Sequence, residues 1–305
     1  MNWFWFSLLA LLFWSGSDLF SKLGCYGEKD KTAHLKMVVA VGLVMGLHAA
    51  YMIFAQGVEI NPEILWKYLP VSLLYILSMA LGYVGLRYIE LSISSPICNS
   101  SGAIVAILCL IGGSLEVEGA GRWLVLGAVG LICAGVVGLG VVEAREDDAL
   151  RARRQERANR KYSKSWLAIL LPVAYCLLDA AGTFADSIVL ETLDENSANV
   201  AYELTFLAAG LLCLAYLLVK KEKFTFKLEL PKYVGAAFET VGQLFYIYAL
   251  ADSEHVAYSA PIISSYCALS AVWSAIFLRE RLSWKHYAMI ALVLVGIVIL
   301  GVFDV

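Results

Sequence analysis

The sequence predicts an all-α membrane protein, with ten transmembrane helices arranged as two inverted five-helix repeats. The first observation behind this prediction is composition: 60% of the 305 residues are hydrophobic and 16% are charged, with a mean hydropathy of +0.74. Soluble domains are nearer half apolar and about one quarter charged. The second observation is a series of long apolar runs, and the third is a set of matches between the two halves of the chain.

The apolar runs account for most of the chain. A bilayer core about 30 Å thick requires roughly 20 apolar residues per helical crossing. The first run lacks a basic start and is longer than the core of a signal peptide, so we expect it to remain in the mature protein. The predicted helices of the first unit are 3–23, 33–56, 64–87, 93–114 and 121–142, and those of the second are 166–189, 197–219, 232–251, 256–278 and 285–302.

A charged segment separates the two sets of helices and divides the chain into five-helix units at 1–142 and 166–305. In this segment, 143–165, acidic and basic residues stand four positions apart, as Asp147 and Arg151 do, which favours a helix. We interpret the segment as a solvated cytoplasmic tether between the two units. A regulatory or lipid-binding role is the alternative.

The basic residues are distributed very unevenly between the two sides of the predicted membrane. All of the 23 Lys+Arg residues except Lys67 and Arg122 fall in loops and helix ends on one side. The positive-inside rule places that side in the cytoplasm. We therefore predict a multi-pass protein of the cell (plasma or inner) membrane, with a cytoplasmic central linker and both termini outside.

The two units resemble each other at a spacing of 160 or 161 residues. Because each unit has five helices, an odd number, the second copy must enter the membrane from the opposite side. Inverted repeats of this kind are the architecture of many secondary transporters. The matched pairs are Asp18 with Asp179, Trp14 with Tyr175, Trp123 with Trp284, and Gly82 with Gly242.

Both ends of the chain carry motifs of a known family. The stretch "YALADSEHVAYSAPIISSYCALSAVWSAIFLRERLSW" combines a Ser-x-Pro at 259–261, a long helix of small and apolar residues, and an Arg-Glu-Arg-Leu at 279–282. The opening "FWSGSDLFSK" is similar to the start of the same units, although Ser15 stands where a glycine usually follows the tryptophan. These features resemble the EamA-type units of the drug/metabolite transporter superfamily.

The resemblance covers the whole chain as two units, and the first unit departs further from the pattern. Its fourth loop has Glu116 and Glu118 but no Glu-Arg pair, and Gly102 lies near the expected proline. The resemblance implies a ten-helix secondary transporter with a central cavity between the halves. It does not imply one substrate, because that superfamily moves amino acids, amines, sugars, nucleotide sugars and drugs.

Acidic residues inside the predicted helices are the first candidates for function. Ionisable groups in membrane helices are rare and usually face a bundle interior or a water-filled cavity. Interior basic residues are few: Lys22 and Arg87 lie at helix ends, and His48 lies within the second helix. We expect the acidic side chains to serve proton coupling or gating. They are Asp18, Asp179, Asp186, Glu203 and Glu239.

Asp18 and Asp179 differ in their local sequence. Asp18 has Lys22 four positions on, so a local ion pair at the cytoplasmic edge is the alternative to a functional role. Asp179 has Thr183 at the equivalent position and shares a helix face with Asp186. Because such a face is very unfavourable against lipid, we expect it to line a cavity, with structural hydrogen bonding as the alternative.

Glu239 is the best single candidate for a substrate or proton site. It lies about two turns into the eighth predicted helix, and Gln243 and Tyr246 share its face. Burial penalises the ionised form of a carboxyl group, so a proton could exchange there near neutral pH. Carboxylates beside aromatic faces suit an organic cation. The predicted substrate-binding residues are Glu239, Asp179, Tyr246, Gln243, Tyr83, Asn99, Tyr266 and Trp14.

These observations favour secondary transport of a small organic solute, amine-bearing or cationic, by alternating access with proton coupling. The alternative is an exporter of amino acids or neutral metabolites in which the acids serve only protons and packing. A membrane-embedded enzyme is disfavoured, because the four histidines form no HxxxH-like cluster.

The seven cysteines show no CxxC spacing, so we expect no metal and no cofactor. Expected partners are the solute, the lipid bilayer and a proton or other coupling ion; we expect no nucleic acid, and a monomer or homodimer.

Overall fold

A computed structural model describes residues 2–25, 30–88, 91–112, 121–145, 166–277 and 282–303. Within these ranges the chain forms helices joined by short turns, with no strand. Most of the predicted charged linker and the Arg279–Arg281 motif lie outside the described residues, as do Glu116 and Glu118.

The helices follow the predicted apolar runs closely. A short 3₁₀ turn at Ser253–His255 precedes the helix that begins at Val256. In chain order the helices are α1 (Trp3–Cys25), α2 (Ala33–Phe54), α3 (Pro62–Tyr88), α4 (Leu91–Cys98), α5 (Ser101–Gly112), α6 (Gly121–Ala144), α7 (Trp166–Leu190), α8 (Glu195–Val219), α9 (Phe226–Leu250), α10 (Val256–Ser264), α11 (Tyr266–Phe277) and α12 (Trp284–Phe303).

The prediction of an all-α membrane fold is confirmed. In the part of the chain that the structure describes, six segments are long and apolar enough to cross a membrane, and three shorter apolar helices accompany them. Helix α9 is long enough but is not among the six. It carries Lys227, Glu229, Lys232 and Glu239, and these charges lower its hydropathy.

Two of the predicted helices are broken rather than continuous. The expected helix 93–114 is divided into α4 and α5, and the expected helix 256–278 into α10 and α11. Each contains a proline, which lacks a backbone N–H and so weakens the helix nearby. At the first break Ser100 Oγ donates to the carbonyl of Pro96, and at the second Ser265 Oγ donates to that of Ile262. Serine hydroxyls thus satisfy carbonyls that a straight helix would bond internally.

The two broken helices cross each other next to their breaks. Helix α5 packs against α10, and a side chain added at Gly102 would place its Cβ 2.6 Å from the carbonyl oxygen of Ala260. Only glycine permits this approach of the two backbones. The first repeat and the second are therefore in direct backbone contact near the centre of the bundle.

The main helix contacts join one repeat to the other. Helix α1 packs against α9, α2 against α8, α3 against α7, and α6 against α12. The residues matched in the sequence occupy matching contacts: the Trp14 ring lies on Gly242, and the Tyr175 ring lies on Gly82. The inverted repeat of the sequence is therefore present in the packing.

The two ends of the bundle hold different polar contacts. At one end, which we call the basic end, Lys36 Nζ lies 2.9 Å from Asp30 Oδ2 and 3.6 Å from Glu229 Oε1. At the other, which we call the opposite end, Ser197 Oγ donates to the carbonyl of Glu59 and the Trp3 ring stacks on His255. Each end thus gathers loops that the charge distribution assigns to one side of a membrane.

Candidate functional site

A cavity lies between the repeats and contains three carboxyl groups. Its empty space is about 700 Å³, including the part open to solvent. Its walls are formed by the middle of α1, α3, α7 and α9 together with α4, and along α1 and α3 they extend toward the basic end as far as Ser21 and Leu86. The three acidic side chains on its surface are Asp18, Asp179 and Glu239.

Asp18 and Asp179 are held by serine hydroxyls from the broken helices. Ser95 and Ser270 each donate to Asp18 Oδ2, at 2.7 and 2.8 Å. Ser101 donates to Asp179 Oδ2 at 2.7 Å. Ser95 belongs to α4 and Ser101 to the first turn of α5, so the segments on either side of one break hold the two aspartates. The matched acids of the two repeats therefore face one cavity.

Glu239 is held by a third serine. Ser17 donates to Glu239 Oε2 at 2.7 Å, which links α9 to α1. Among the described residues, no hydrogen bond reaches the second oxygen of Asp18, Asp179 or Glu239. Each carboxyl group thus has one oxygen fixed by the protein and one left to bind a solute, water or a proton.

Aromatic rings form much of the remaining wall. The Trp14 and Tyr266 rings meet edge to face, with centroids 5.8 Å apart. Three groups of the wall, Trp14 Nε1, Tyr83 Oη and Gln243 Nε2, are buried without a described hydrogen-bond partner. The aromatic residues that line the cavity are Trp14, Tyr75, Tyr83, Tyr175, Tyr202 and Tyr266.

A hydrogen-bonded cluster closes the bundle toward the opposite end. Tyr68 and Tyr75 donate to the two oxygens of Asp186, at 2.7 and 3.2 Å. Tyr246 Oη donates to Thr183 Oγ1 at 2.7 Å and also contacts the Tyr75 hydroxyl. Asp186 is fully buried and does not line the cavity. Both oxygens of this aspartate therefore accept hydrogen bonds from tyrosines, whereas Asp179 on the same helix has one oxygen bonded.

Lys22 turns away from the cavity. Its Nζ donates to the carbonyl of Leu86 at 3.3 Å, and the side chain is almost completely buried. No lysine or arginine lines the cavity among the described residues.

The predicted site residues fall into two groups. Trp14, Tyr83, Asp179, Glu239, Gln243 and Tyr266 line the cavity, as does Asp18 among the proposed coupling residues. Tyr246 and Asn99 lie behind its surface, where Asn99 Nδ2 donates to the carbonyl of Ser95. Glu203 is bonded to His48 between α2 and α8, outside the cavity.

The predicted site residues did not include the serines that hold the acids or three of the cavity tyrosines, Tyr75, Tyr175 and Tyr202. Ser17, Ser95, Ser101 and Ser270 stand in small-residue stretches, where a hydroxyl cannot be distinguished from a packing residue. Tyr175 could have been found, because its repeat partner Trp14 was already a candidate. Within the described ranges, no group of three or more His, Cys, Asp or Glu side chains could hold a metal ion.

Known proteins share this fold. A solved structure described as "Crystal structure of protein" aligns with 97% of this chain and 97% of its own, with a TM-score of 0.66 and 15% identity, which shows a likeness of fold alone. No curated protein matches the chain. Residues 166–302 match the model of the EamA-like transporter family, part of the drug/metabolite transporter superfamily, whose members are transporters rather than enzymes. The second half of the chain is therefore similar to the EamA-like transporter family, the membrane transporters of small solutes.

Proposed function

We propose that the protein is a secondary active transporter of small organic cations, such as amines, and that it works by alternating access with proton coupling. The observation that carries this proposal is the group of three carboxyl groups, Asp18, Asp179 and Glu239, on one cavity. No basic side chain among the described residues lines that cavity to balance them.

The charge of the cavity favours a cationic solute. Removing several carboxylates from water without a counter-ion is very unfavourable, so they must be neutralised by protons or by a bound cation. A cation that enters and a proton that leaves then compete for the same oxygens. This competition supplies the exchange that a proton-coupled transporter needs, with Glu239 as the proposed exchange group.

The aromatic wall supports the same class of solute. An ammonium group near the face of a tyrosine or tryptophan ring gains roughly 0.5–2 kcal/mol from the ring quadrupole. Trp14 and Tyr266 meet beside the acids, and Tyr83 and Tyr175 complete the wall. Rings and carboxylates together fit an amine with an apolar body better than a small inorganic cation.

Alternating access is supported by the unequal ends of the cavity. The walls reach toward the basic end, whereas Asp186 and its tyrosine partners close the bundle toward the opposite end. Under the predicted topology the basic end is cytoplasmic, so this arrangement corresponds to an inward-facing or inward-occluded state. Transport in the other half-cycle requires the Asp186 cluster to open.

The test of this proposal is transport by the purified protein in liposomes. Uptake of a panel of labelled amines and amino acids is measured with and without an imposed pH gradient, against liposomes without protein. We expect amines to be taken up, to compete with one another and to respond to the gradient. Absence of amine uptake and of competition by amines would overturn the cation proposal.

The alternative of an amino-acid or neutral-metabolite exporter has an observation of its own. The unpartnered Gln243 Nε2, Tyr83 Oη and Trp14 Nε1 in the wall are donors that an oxygen-bearing solute would satisfy. In this alternative the carboxyl groups carry only protons. Uptake of amino acids that is insensitive to competing amines would favour it over the cation proposal.

Several further properties belong to the same proposal. We infer that the protein resides in the cell membrane as a monomer or homodimer, with both termini outside. The five-helix units extend over 1–142 and 166–305, and the linker 143–165 lies in the cytoplasm. The concentration of basic residues on one side supports this orientation.

A further inference from the structure

An ionisable pair lies between α2 and α8, away from the cavity. His48 Nδ1 is 2.7 Å from Glu203 Oε1, and Asn199 Nδ2 donates to the same oxygen at 3.2 Å. Glu203 and Asn199 are fully buried, whereas 25% of the His48 side chain is exposed. None of the three residues lines the cavity. A carboxyl group is thus held inside the bundle by groups that take no part in the cavity site.

Two oxygens of this cluster lack a hydrogen-bond donor. Glu203 Oε2 and Asn199 Oδ1 are buried, and no described group donates to either. A buried acceptor without a donor is unfavourable, and an uncompensated buried charge is more unfavourable still. With a neutral His48, an ionised Glu203 would leave one uncompensated negative charge inside the bundle. One additional proton, on either side chain, removes that charge.

The cluster can receive this proton without involving the cavity. His48 is the exposed member, and the Tyr51 ring lies beside it with the centroids 6.5 Å apart. Tyr51 Oη in turn accepts a hydrogen bond from the exposed Gln56, 2.6 Å away, just beyond the end of α2. Tyr51 and Gln56 therefore lie between His48 and the opposite end of the bundle.

The position of the cluster connects it to the movement of the repeats. Helix α2 belongs to the first repeat and α8 to the second, and their backbones approach closely where Gly42 meets Gly210. A His48–Glu203 pair without net charge stabilises this interface, whereas a pair with one uncompensated negative charge weakens it. Protonation at this place can therefore change how easily the two repeats move past each other.

We propose that His48, Glu203 and Asn199 form a second proton-binding site, separate from the solute cavity, whose occupation controls the rate of transport. The control of rate rests on the proposed transport function, whereas binding of the proton does not. No other described side chain is hydrogen-bonded to His48 or Glu203. The other titratable or charged groups with described side chains on α2, α8 and the helices packed against them are Asp18, Lys22 and Cys25 on α1, Glu63, Lys67, Tyr68, Tyr75 and Tyr83 on α3, and Lys227, Glu229, Lys232, Tyr233, Glu239, Tyr246 and Tyr248 on α9, with His34, Lys36, Tyr51, Glu195, Tyr202, Cys213 and Tyr216 on α2 and α8 themselves.

The proton site is tested first by NMR of the full-length protein in nanodiscs with ¹⁵N-labelled histidine. The His48 signal is assigned with His48→Gln, and His255→Gln serves as a control at the contact of another histidine with a carboxyl group, that of His255 with Asp252. We expect a proton held between His48 and Glu203 to give a shifted, slowly exchanging ring N–H signal that Glu203→Gln abolishes and His255→Gln retains. A His48 signal unchanged by Glu203→Gln would overturn the proposal.

The control of rate is tested by the pH dependence of amine flux in liposomes. On the steep side of its optimum we expect wild-type flux to change by about tenfold per pH unit, as one titrating group requires. Glu203→Gln and His48→Gln should flatten this profile while leaving the KM for the amine unchanged, because neither residue lines the cavity. An unchanged profile in both variants would refute control by this site. Absence of flux in every protein, including the wild type, would refute both the proposed function and the control of rate. In that case the NMR result alone would decide whether the proton site exists.

Discussion

Two membrane-embedded acids on one helix show how the surroundings decide a residue's role. Asp179 has one oxygen bonded to Ser101 and faces the cavity, whereas Asp186 has both oxygens bonded to tyrosine hydroxyls and is fully buried. They lie two turns apart on one face, and from the sequence both are candidates for proton coupling or gating, with Asp179 also a candidate for substrate binding. Tyr68 and Tyr75, from α3 of the other repeat, surround Asp186 and give it hydrogen bonds that Asp179 lacks.

Glu239→Gln should abolish proton-coupled flux while leaving the fold intact. The amide has the shape of the carboxyl group and can still accept the hydrogen bond from Ser17, but it cannot exchange a proton. Flux driven by a pH gradient is measured in liposomes, and the melting temperature reports the fold. Glu254→Gln, at an exposed position in a turn, is the matched control. Wild-type flux in the Glu239 variant would remove this residue from the mechanism.

Asp186→Asn should mainly lower the stability of the protein, whereas Asp179→Asn should mainly lower its affinity for the amine. Hydrogen bonds to a charged acceptor contribute about 1.5–3 kcal/mol, so the fully buried Asp186 should lose stability on this order when it is replaced. The Asp179 variant should lose affinity for the amine instead, with a smaller change in stability. Melting temperature and amine binding are measured for both. Equal loss of affinity with unchanged melting in the two variants would contradict this division of roles.

At the scale of the element, the broken helices bring the polar groups of the site together. Ser95 and Ser101 lie on either side of the first break and hold the aspartates of different repeats. A continuous helix over 93–114 was expected from its apolar character, and the proline with its following serines is the signal that points to the break. The crossing of the two broken helices depends on long-range packing, which no local pattern contains.

Gly102→Ala should destabilise the protein by about 1–3 kcal/mol, the usual effect of forcing an extra methyl group into a packed site. Its Cβ would meet the carbonyl oxygen of Ala260 at 2.6 Å, and a backbone atom cannot move aside cheaply. Gly130→Ala on α6 is the matched control, since no atom outside its own helix lies within 4 Å of the added group. Melting temperatures of the two variants are compared. A Gly102 variant as stable as the Gly130 variant would show that the crossing can widen.

The start of α2 should make stability depend on pH. Burial alone raises the pKa of Asp30, but hydrogen bonds from Lys36 and Thr32 outweigh it and hold that pKa below its ordinary value. Because the folded-state pKa is the lower one, the stabilisation is complete above the ordinary pKa and is lost as the pH falls through the folded value.

Asp30→Asn should therefore lower the melting temperature at neutral pH and reduce its fall on acidification. Melting is followed from neutral to acidic pH, with the partly exposed Glu222→Gln as a control. Parallel melting curves for the wild type and the Asp30 variant at all pH values would exclude this contribution.

At the scale of the whole molecule, the distribution of charged and apolar residues and the internal duplication were the main basis for predicting the fold. The apolar runs gave the helix positions, and the spacing of Trp14 from Tyr175 and of Gly82 from Gly242 anticipated two equivalent ring-on-glycine contacts. The site was predictable as far as its acids, because charges in apolar runs are conspicuous. The sequence could not predict which candidate residues line the cavity and which lie behind its surface, because this depends on which side chains of the other repeat fill the space.

The predicted orientation can be tested by cysteine labelling in intact cells. In a variant without the seven native cysteines, a cysteine at Ala158 in the linker should resist an impermeant thiol reagent, since we place the linker in the cytoplasm. A cysteine at Glu191, in a loop predicted to lie outside, should react. Labelling at Ala158 with protection at Glu191 would reverse the orientation.

The two ends of the bundle are joined by different chemistry, although the repeats that form them are related. The buried ion pair of Lys36 with Glu229 connects the repeats at the basic end, whereas hydrogen bonds around Asp186 connect them at the opposite end. A carrier with identical ends would run its two half-cycles over equal barriers. Here one barrier involves separating buried charges and the other does not, so we expect unequal rates. The gradients alone determine the equilibrium distribution of the solute. The asymmetry of the two ends affects only rates, so we expect transport to be faster in one direction than in the other under equal and opposite gradients.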